Sequence, residues 1–121
     1  MFSKIKKWMP LGHVPELSCE ELNQLVKNDA VPIQILDVRT RAEWQSGHIN
    51  GAINIPIINL SGAVDGLPFD KNIPVVAICL SAHRSIPAVR VLKDLGYSDV
   101  RQLAGGIRAW NKLYKHELEK P

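Results

Sequence analysis

The chain has 121 residues, of which 45% are hydrophobic and 22% charged, a composition typical of one compact, soluble domain. Its net charge of +3 is mild, and outside the N-terminus no block of lysine or arginine indicates a nucleic-acid binder. The two cysteines are too few for a disulfide scaffold and too far apart for a zinc site, and no apolar run is long enough to span a membrane. We therefore expect a protein of the reducing cytoplasm, without a metal, a nucleic-acid partner or a transmembrane segment.

Residues 1–11 form a basic extension that mixes lysines with apolar side chains. It lacks the apolar stretch of a secretory signal, and we expect it to fray or to pack on the domain; the alternative is a short helix on an anionic membrane surface. Residues 12–17 predict a short edge strand, and Ser18 with Glu21 predicts a capping box that starts a helix. Cys19 lies in the first turn of that helix, but no loop with an arginine follows it, so we do not expect a catalytic role.

The second predicted strand, residues 32–38, ends at a carboxylate and is followed by an arginine, Asp37 and Arg39. The carboxyl end of a parallel strand lies on the edge of the sheet where ligands bind. We nevertheless expect Asp37 to cap the next helix or to pair with an arginine rather than to take part in chemistry.

A short helix over residues 41–45, capped by Thr40, should bury Trp44 and stop before Gly47. His48 comes next. A histidine between a turn glycine and an apolar residue usually bonds to the backbone, and we expect that role here rather than general-base catalysis.

Residues 75–78 form an apolar run of the length expected for a central parallel strand buried on both faces. Before it, residues 57–73 predict a looser connection with a short helix near residues 57–60. After it come Cys79, a short polar loop and a helix with Pro87 in its first turn. The buried positions of that helix recur at helical spacing: Ala88, Val91, Leu92 and Leu95.

Cys79 should therefore stand where a buried strand ends and face the start of a helix. Free N–H groups and the positive end of the helix dipole stabilise an anion at such a place, so the thiol loses its proton more readily and becomes a nucleophile. Arg84 adds a permanent positive charge close by. The loop between them predicts a cradle for the anionic part of a substrate or for a sulfur added to the cysteine. The alternative is that Cys79 is a small buried hydrophobic residue that ends a core strand.

The last strand, residues 99–103, is followed by Gly105 and Gly106, which let the backbone approach a neighbour closely at a second strand-to-helix junction. The residues expected on the inner face of the final helix are Ile107, Trp110, Leu113 and Tyr114. The charged tail, residues 116–121, should fray.

Four or five short strands that alternate with helices predict one α/β domain over residues 12–115, with a mostly parallel sheet and right-handed crossovers. Ligands should bind at the carboxyl ends of the strands, where Asp37, Cys79 and the pair Gly105-Gly106 are predicted to lie. This convergence favours the catalytic interpretation of Cys79.

In these residues the chain resembles a single-domain rhodanese, a sulfurtransferase. Three blocks, in order, carry the resemblance from about residue 12 to residue 114. They are Leu36-Asp37-Val38-Arg39 with Glu43-Trp44, Gly47-His48-Ile49 and residues 51–56; Cys79 with Arg84-Ser85; and Leu103, Gly105-Gly106 and Trp110. Together, in order and at matching spacing, they are specific.

The resemblance implies a rhodanese-like α/β fold with about five strands and with helices on both sides of the sheet. It also implies that Cys79 becomes a persulfide: a small anionic donor such as thiosulfate gives its outer sulfur to the cysteine, which passes it to cyanide or a thiol. A protein persulfide is another potential donor or acceptor, and no metal or organic cofactor is required. The substrate-binding loop would be Leu80, Ser81, Ala82, His83, Arg84 and Ser85, and the supporting rim Asp37, Arg39, Gly105 and Gly106.

Two departures from the family's pattern bear on the substrate. Leu80 stands where many active members carry a basic residue, and Ala82 stands where glycine is usual. Loss of a cation beside the nucleophile weakens the attraction for a doubly charged donor, so we expect measurable but modest activity with thiosulfate. His83 and Arg84 would compensate in part.

Two alternatives stand beside the sulfurtransferase. The first is a phosphatase or arsenate reductase, but related phosphatases of this fold have a loop one residue longer than the four residues between Cys79 and Arg84. The second is a non-catalytic rhodanese-like module that binds a partner or senses oxidants through its thiol.

Overall fold

The computed structural model describes residues 12–63 and 66–121. Within them, the strands are β1 (Glu16–Leu17), β2 (Gln34–Asp37), β3 (Ile53–Asn54), β4 (Val75–Ile78) and β5 (Val100–Leu103). The α-helices are α1 (Cys19–Lys27), α2 (Arg41–Ser46), α3 (Ile57–Ala63), α4 (Ser85–Asp94) and α5 (Gly106–Tyr114), and a 3-10 helix (Lys115–Glu117) follows α5.

The strands pair in parallel in the order β1-β5-β4-β2-β3, so β4 is the central strand. Its four residues are each at most 1% exposed, because helices cover both faces of the sheet. Val75 and Ala77 contact one apolar cluster with α3 and α4, whereas Val76 and Ile78 contact the other with α1 and α5. The predicted α/β architecture, with a parallel sheet of five strands, is confirmed.

Two capping boxes fix the starts of α1 and α2. The Ser18 hydroxyl accepts from the Glu21 amide and the Glu21 carboxylate accepts from the Ser18 amide, both at 3.1 Å, as predicted. Thr40 caps α2 as predicted, and Glu43 completes a second box by accepting from the Thr40 amide at 2.8 Å. The second box bears on the site because it holds the backbone and the carboxylate of Glu43 in place at the start of α2.

The predicted burial of Trp44 is wrong, since its side chain is only half-buried on a helix that has no fully buried residue. The indole ring stacks on the ring of His48, with centroids 4.0 Å apart, and its Nε1 donates to the carbonyl of Ala52 at 3.1 Å. Trp44 therefore covers the turn that follows α2 instead of entering the core.

Two element lengths differ from prediction. β1 occupies only the last two residues of the predicted range 12–17. Pro15, just before it, has no N–H to donate to a neighbouring strand. α3 extends three residues beyond the predicted end at Leu60, which is its fully buried residue. Neither difference moves the carboxyl ends of the central strands.

The inner face of α5 is shorter than predicted. Ile107 and Trp110 are buried, but Leu113 is 50% exposed, so its predicted inner position is wrong. Tyr114 packs against Trp110, with ring centroids 4.7 Å apart, and Leu118 from the following chain joins the same apolar cluster. Tyr114 is therefore the third inner residue of α5, and the returning chain adds Leu118 beside it.

The C-terminal tail does not fray, which corrects a second expectation for this end. Lys115–Glu117 form a 3-10 helix, and Glu119 and His48 exchange two backbone hydrogen bonds of 2.7 and 2.9 Å. The expectation for the basic extension falls on residues 1–11, outside the described residues. No helix in the described part of the chain has the length and apolarity to cross a bilayer.

Candidate active site

Cys79 directly follows β4, at the carboxyl end of the sheet. Its Sγ lies 3.4 Å from the hydroxyl oxygen of Ser85, the first residue of α4, so the sulfur faces the start of that helix as predicted. Both residues are buried, Cys79 at 1% exposure and Ser85 at 0%. The sulfur thus does not lie at an open surface, and Cys79 belongs to the apolar cluster that β4 forms with α3 and α4.

The N-terminus of α5 holds the first two carbonyls of this loop. The amide of Ile107 donates to the Cys79 carbonyl at 2.8 Å, and the amide of Arg108 donates to the Leu80 carbonyl at 3.1 Å. Gly106 makes this approach feasible: its φ is +63°, and a Cβ there would lie 2.5 Å from the Cys79 carbonyl oxygen. The predicted close approach of the glycine pair is therefore present, and its neighbour is the cysteine loop itself.

The direction of these carbonyls determines where the loop amides point. In a planar trans peptide the C=O and the following N–H point in opposite directions, and every described peptide is trans. The amides of Leu80 and Ser81 therefore point away from α5. Among the described residues, no backbone carbonyl accepts from the amides of residues 80–84. Backbone N–H groups without a backbone acceptor are the kind of donor that binds anions in proteins.

Ala82 has a φ of +72°, and no other non-glycine residue in the described ranges has a positive φ. This left-handed conformation costs an alanine roughly 1 kcal/mol, whereas glycine adopts it freely. The sequence difference noted at this position thus coincides with a strained residue at the tip of the loop.

Arg84 is not a free charge, which changes the role predicted for it. Its guanidinium forms two hydrogen bonds to the carboxylate of Glu43, Nη1 to Oε1 at 2.9 Å and Nη2 to Oε2 at 3.1 Å. The Arg84 bonds, assisted by those from Thr40, lower the pKa of Glu43 to about 2. The bond to Glu43 raises the pKa of Arg84, partial burial opposes this, and the charge of Glu43 adds to the rise.

Asp37 and Arg39 form a buried ion pair on the rim, at 1% and 4% exposure. Arg39 donates through Nε to Asp37 Oδ1 at 3.0 Å and through Nη2 to Oδ2 at 2.8 Å, so the pairing expected for Asp37 is present. The same guanidinium donates to the carbonyls of Gly47 and Glu43, at 2.8 and 3.3 Å. The pair thereby anchors both ends of α2 at the end of β2, and with it the residue that binds Arg84.

Gln102 and Glu16 also belong to this site, although the sequence did not indicate them. The Ser85 hydroxyl donates to Gln102 Oε1 at 2.6 Å, and Gln102 Nε2 donates to Glu16 Oε2 at 2.9 Å. The register of β1 and β5 sets Glu16 opposite Gln102. Glu16, Gln102, Ala82 and His83 help to line a polar cavity of about 470 Å³ beside the loop.

The remaining candidate residues are not brought to the sulfur. His48 is buried, and its Nδ1 lies 2.8 Å from the Trp44 carbonyl, in agreement with the backbone role expected for it. Burial, followed by the charge of Glu20, raises the pKa of the Cys19 thiol, which lies 3.8 Å from the Ala104 carbonyl. Within the described ranges, no group of histidine, cysteine and acidic side chains is arranged to hold a metal ion.

Comparisons with known proteins agree with this architecture. The family model of the rhodanese-like domain matches residues 18–113. The chain is 35% identical over 92 residues to the thiosulfate sulfurtransferase GlpE of Shewanella oneidensis, a match that covers 75% of this chain and 89% of that protein. It is 34% identical over 97 residues to the putative sulfur carrier protein YrkF of Bacillus subtilis, covering 80% of this chain but only 51% of that relative.

The fold is also similar to that of a solved sulfurtransferase structure. The human single-domain sulfurtransferase TSTD1 superposes with a TM-score of 0.73 at 28% identity, covering 84% of this chain and 98% of that one. The match to the family model spans most of the strands and helices described above, including the cysteine loop and both of its neighbouring strands. The chain therefore belongs to the rhodanese-like domain family.

Proposed function

We propose that the chain is a sulfurtransferase in which Cys79 accepts a sulfane sulfur from a small anionic donor and passes it to a thiol or to cyanide. The observation that carries the proposal is the position of the Cys79 sulfur 3.4 Å from Ser85 at the start of α4, next to a loop whose amides at residues 80–84 have no backbone acceptor among the described residues. Such amides stabilise a thiolate and the anionic persulfide that follows it.

With thiosulfate as donor, the Cys79 thiolate attacks the outer sulfur and forms a new S–S bond. The S–S bond of thiosulfate breaks, and sulfite leaves with the electron pair. An acceptor thiolate or cyanide then attacks the terminal sulfur of the persulfide, and Cys79 leaves as the thiolate. Each step is a two-electron displacement at sulfur, so neither a metal nor an organic cofactor is required.

Because Cys79 is only 1% exposed, a donor reaches the sulfur only after the surrounding structure opens. A change in the loop conformation would relieve the backbone strain at Ala82. The proposal therefore includes an opening step before sulfur transfer.

Two features support modest activity with thiosulfate. Leu80 supplies no charge next to the nucleophile, and Glu43 neutralises much of the charge of Arg84. A protein persulfide carries less charge at the sulfur than thiosulfate does, so such a donor is penalised less by these features. The same loop, with one residue fewer than in related phosphatases and with its arginine paired, is poorly suited to a phosphate group.

The burial of Cys79 favours a second candidate, a module that binds a partner or responds to oxidants without turnover. Steady-state assay separates the two candidates. We expect thiosulfate and cyanide to yield thiocyanate with the wild-type protein and with Cys19→Ser, and no enzymatic product with Cys79→Ser. If wild type and Cys79→Ser yield equal amounts of thiocyanate, the sulfurtransferase is ruled out and the non-catalytic module remains.

A further inference from the structure

A continuous chain of hydrogen bonds runs from the edge of the sheet to the Cys79 sulfur. It joins Glu16 on β1 to Gln102 on β5 at 2.9 Å, Gln102 to Ser85 on α4 at 2.6 Å, and Ser85 to the sulfur at 3.4 Å. Gln102 is 4% exposed and Ser85 is fully buried, whereas Glu16 is exposed. Water therefore has little access to the two middle members.

The carboxylate at one end fixes the direction of every bond in this chain. An ionised carboxylate only accepts hydrogen bonds, so the NH₂ group of Gln102 must face Glu16 and its carbonyl oxygen must face Ser85. That oxygen accepts the one proton of the Ser85 hydroxyl. The lone pairs of Ser85 then face the sulfur, and Ser85 can only accept a hydrogen bond from the Cys79 thiol.

This direction suits the thiol and opposes the thiolate. When Cys79 gives its proton to the solvent, the sulfur becomes an acceptor, and Ser85 can serve it only by rotating its hydroxyl proton away from Gln102. The carbonyl oxygen of Gln102 is then left without its donor in a buried position, which is unfavourable.

We propose that Gln102 and Glu16 are positioning residues that, through the Ser85 hydroxyl, favour the thiol form of Cys79. The inference rests on the proposed function for its purpose, because a preference for the thiol form matters only if Cys79 reacts. The coupling itself is independent of sulfur transfer.

Other charged groups lie on the elements packed around Cys79, and the test must keep them constant. The charged residues on the elements around Cys79 are His83 and Arg84 in the loop, Asp37 and Arg39 at the end of β2, Glu43 on α2, which binds Arg84, and Arg108 on α5, whose amide binds the loop. His13 and Glu16 border the polar cavity beside Gln102. Of these groups, only Glu16 changes in the variants below.

The test measures the thiol–thiolate equilibrium of Cys79 directly, by the ¹³Cβ chemical shift of labelled cysteine as a function of pH, with Cys79→Ser to assign the signal. Gln102→Met removes the amide at similar volume and frees the Ser85 proton for the sulfur. We expect the midpoint of the transition to move to lower pH by about one unit, a tenfold change in the thiolate-to-thiol ratio.

Glu16→Gln provides a second variant on an exposed edge strand, in case Gln102→Met does not fold. The new amide can donate to Gln102, so the Gln102 side chain can reverse and donate to Ser85. The midpoint should again move to lower pH, partly because a negative charge is lost. In a Ser85→Ala background, Gln102→Met should have no effect and Glu16→Gln should retain only its charge effect.

An unchanged midpoint in Gln102→Met, or equal shifts with and without Ser85, would overturn the inference. Either result would leave the proposed function intact, because the NMR measurement does not depend on turnover. Conversely, a protein that shows the coupling but forms no thiocyanate would retain this inference and lose the proposed function.

Discussion

Glu43 binds the guanidinium of Arg84 through both carboxylate oxygens, at 2.9 and 3.1 Å, although the two residues are 41 positions apart. This contact joins the first turn of α2 to the end of the cysteine loop. It orients Arg84 and reduces the positive charge that the loop presents to a donor.

The first prediction concerns stability in acid. The pKa of Glu43 is lowered from 4.5 to about 2, chiefly by the Arg84 hydrogen bonds. Because the carboxyl pKa is lower in the folded state, the ionised Glu43 adds stability above pH 4.5, and this stability is lost as the pH falls towards about 2. Urea unfolding across this range should show a steeper loss for wild type than for Glu43→Gln. Glu20→Gln, an exposed control on α1, should follow wild type; parallel curves for wild type and Glu43→Gln would contradict the prediction.

The second prediction concerns Ala82, whose φ is +72°. Ala82→Gly removes the strain of a left-handed alanine but adds freedom to the unfolded chain, so the free energy of unfolding should stay equal or rise by up to about 1 kcal/mol. The matched control is Ala42→Gly on the exposed side of α2, which should lower stability by about 0.5–1 kcal/mol. Urea titration compares the two. A loss for Ala82→Gly as large as the loss for Ala42→Gly would argue against strain at this position.

The third prediction concerns the contact between Gly106 and the loop. A Cβ at Gly106 would lie 2.5 Å from the Cys79 carbonyl oxygen and 2.6 Å from that of Leu80, both backbone atoms that cannot move aside alone. Gly106→Ala should therefore lower stability by at least about 2 kcal/mol and reduce sulfur transfer more than tenfold. Gly62→Ala in α3 is the control, because nothing lies within 4 Å of its added Cβ. Nearly equal behaviour of the two variants would show that α5 does not hold the loop.

The fourth prediction concerns the charge beside the nucleophile. Leu80→Arg places a cation next to Cys79, and we expect kcat/KM for thiosulfate to rise tenfold or more, a change of about 1.4 kcal/mol in transition-state binding. Leu80→Gln is the uncharged polar control and should change the value little. If both variants behave alike, the weak attraction for thiosulfate has a cause other than charge.

Contacts between residues close in the sequence could be predicted from local patterns. The Ser18 and Glu21 box and the pairing of Asp37 with an arginine follow from spacings of three and two residues. The placement of Cys79 between a buried strand and a helix follows from a run of apolar residues and the change of pattern after it.

The site contacts that could not be predicted join residues distant in the sequence. Gln102 meets Glu16 because β5 pairs with β1, a neighbour relation that periodicity does not encode. Glu43 could be recognised as part of a capping box with Thr40, but its partner Arg84 depends on the order of β2 and β4 in the sheet.

The errors in the core have a related cause. Leu113 continues the helical spacing of Ile107 and Trp110, so a single-helix pattern places it inside. The structure leaves it exposed, and Tyr114, together with Leu118 beyond the end of α5, packs against that cluster. The spacing within one helix gives no information about which later segment returns to cover it.

The central claim is that the buried sulfur of Cys79 receives a sulfane sulfur. Intact-mass spectrometry of the protein after incubation with thiosulfate tests it most directly. We predict a gain of one sulfur atom in the wild-type protein and in Cys19→Ser, its removal by cyanide, and no gain in Cys79→Ser. A wild-type mass that stays unchanged with thiosulfate and with a low-molecular-weight persulfide, or a gain that persists in Cys79→Ser, would contradict the account.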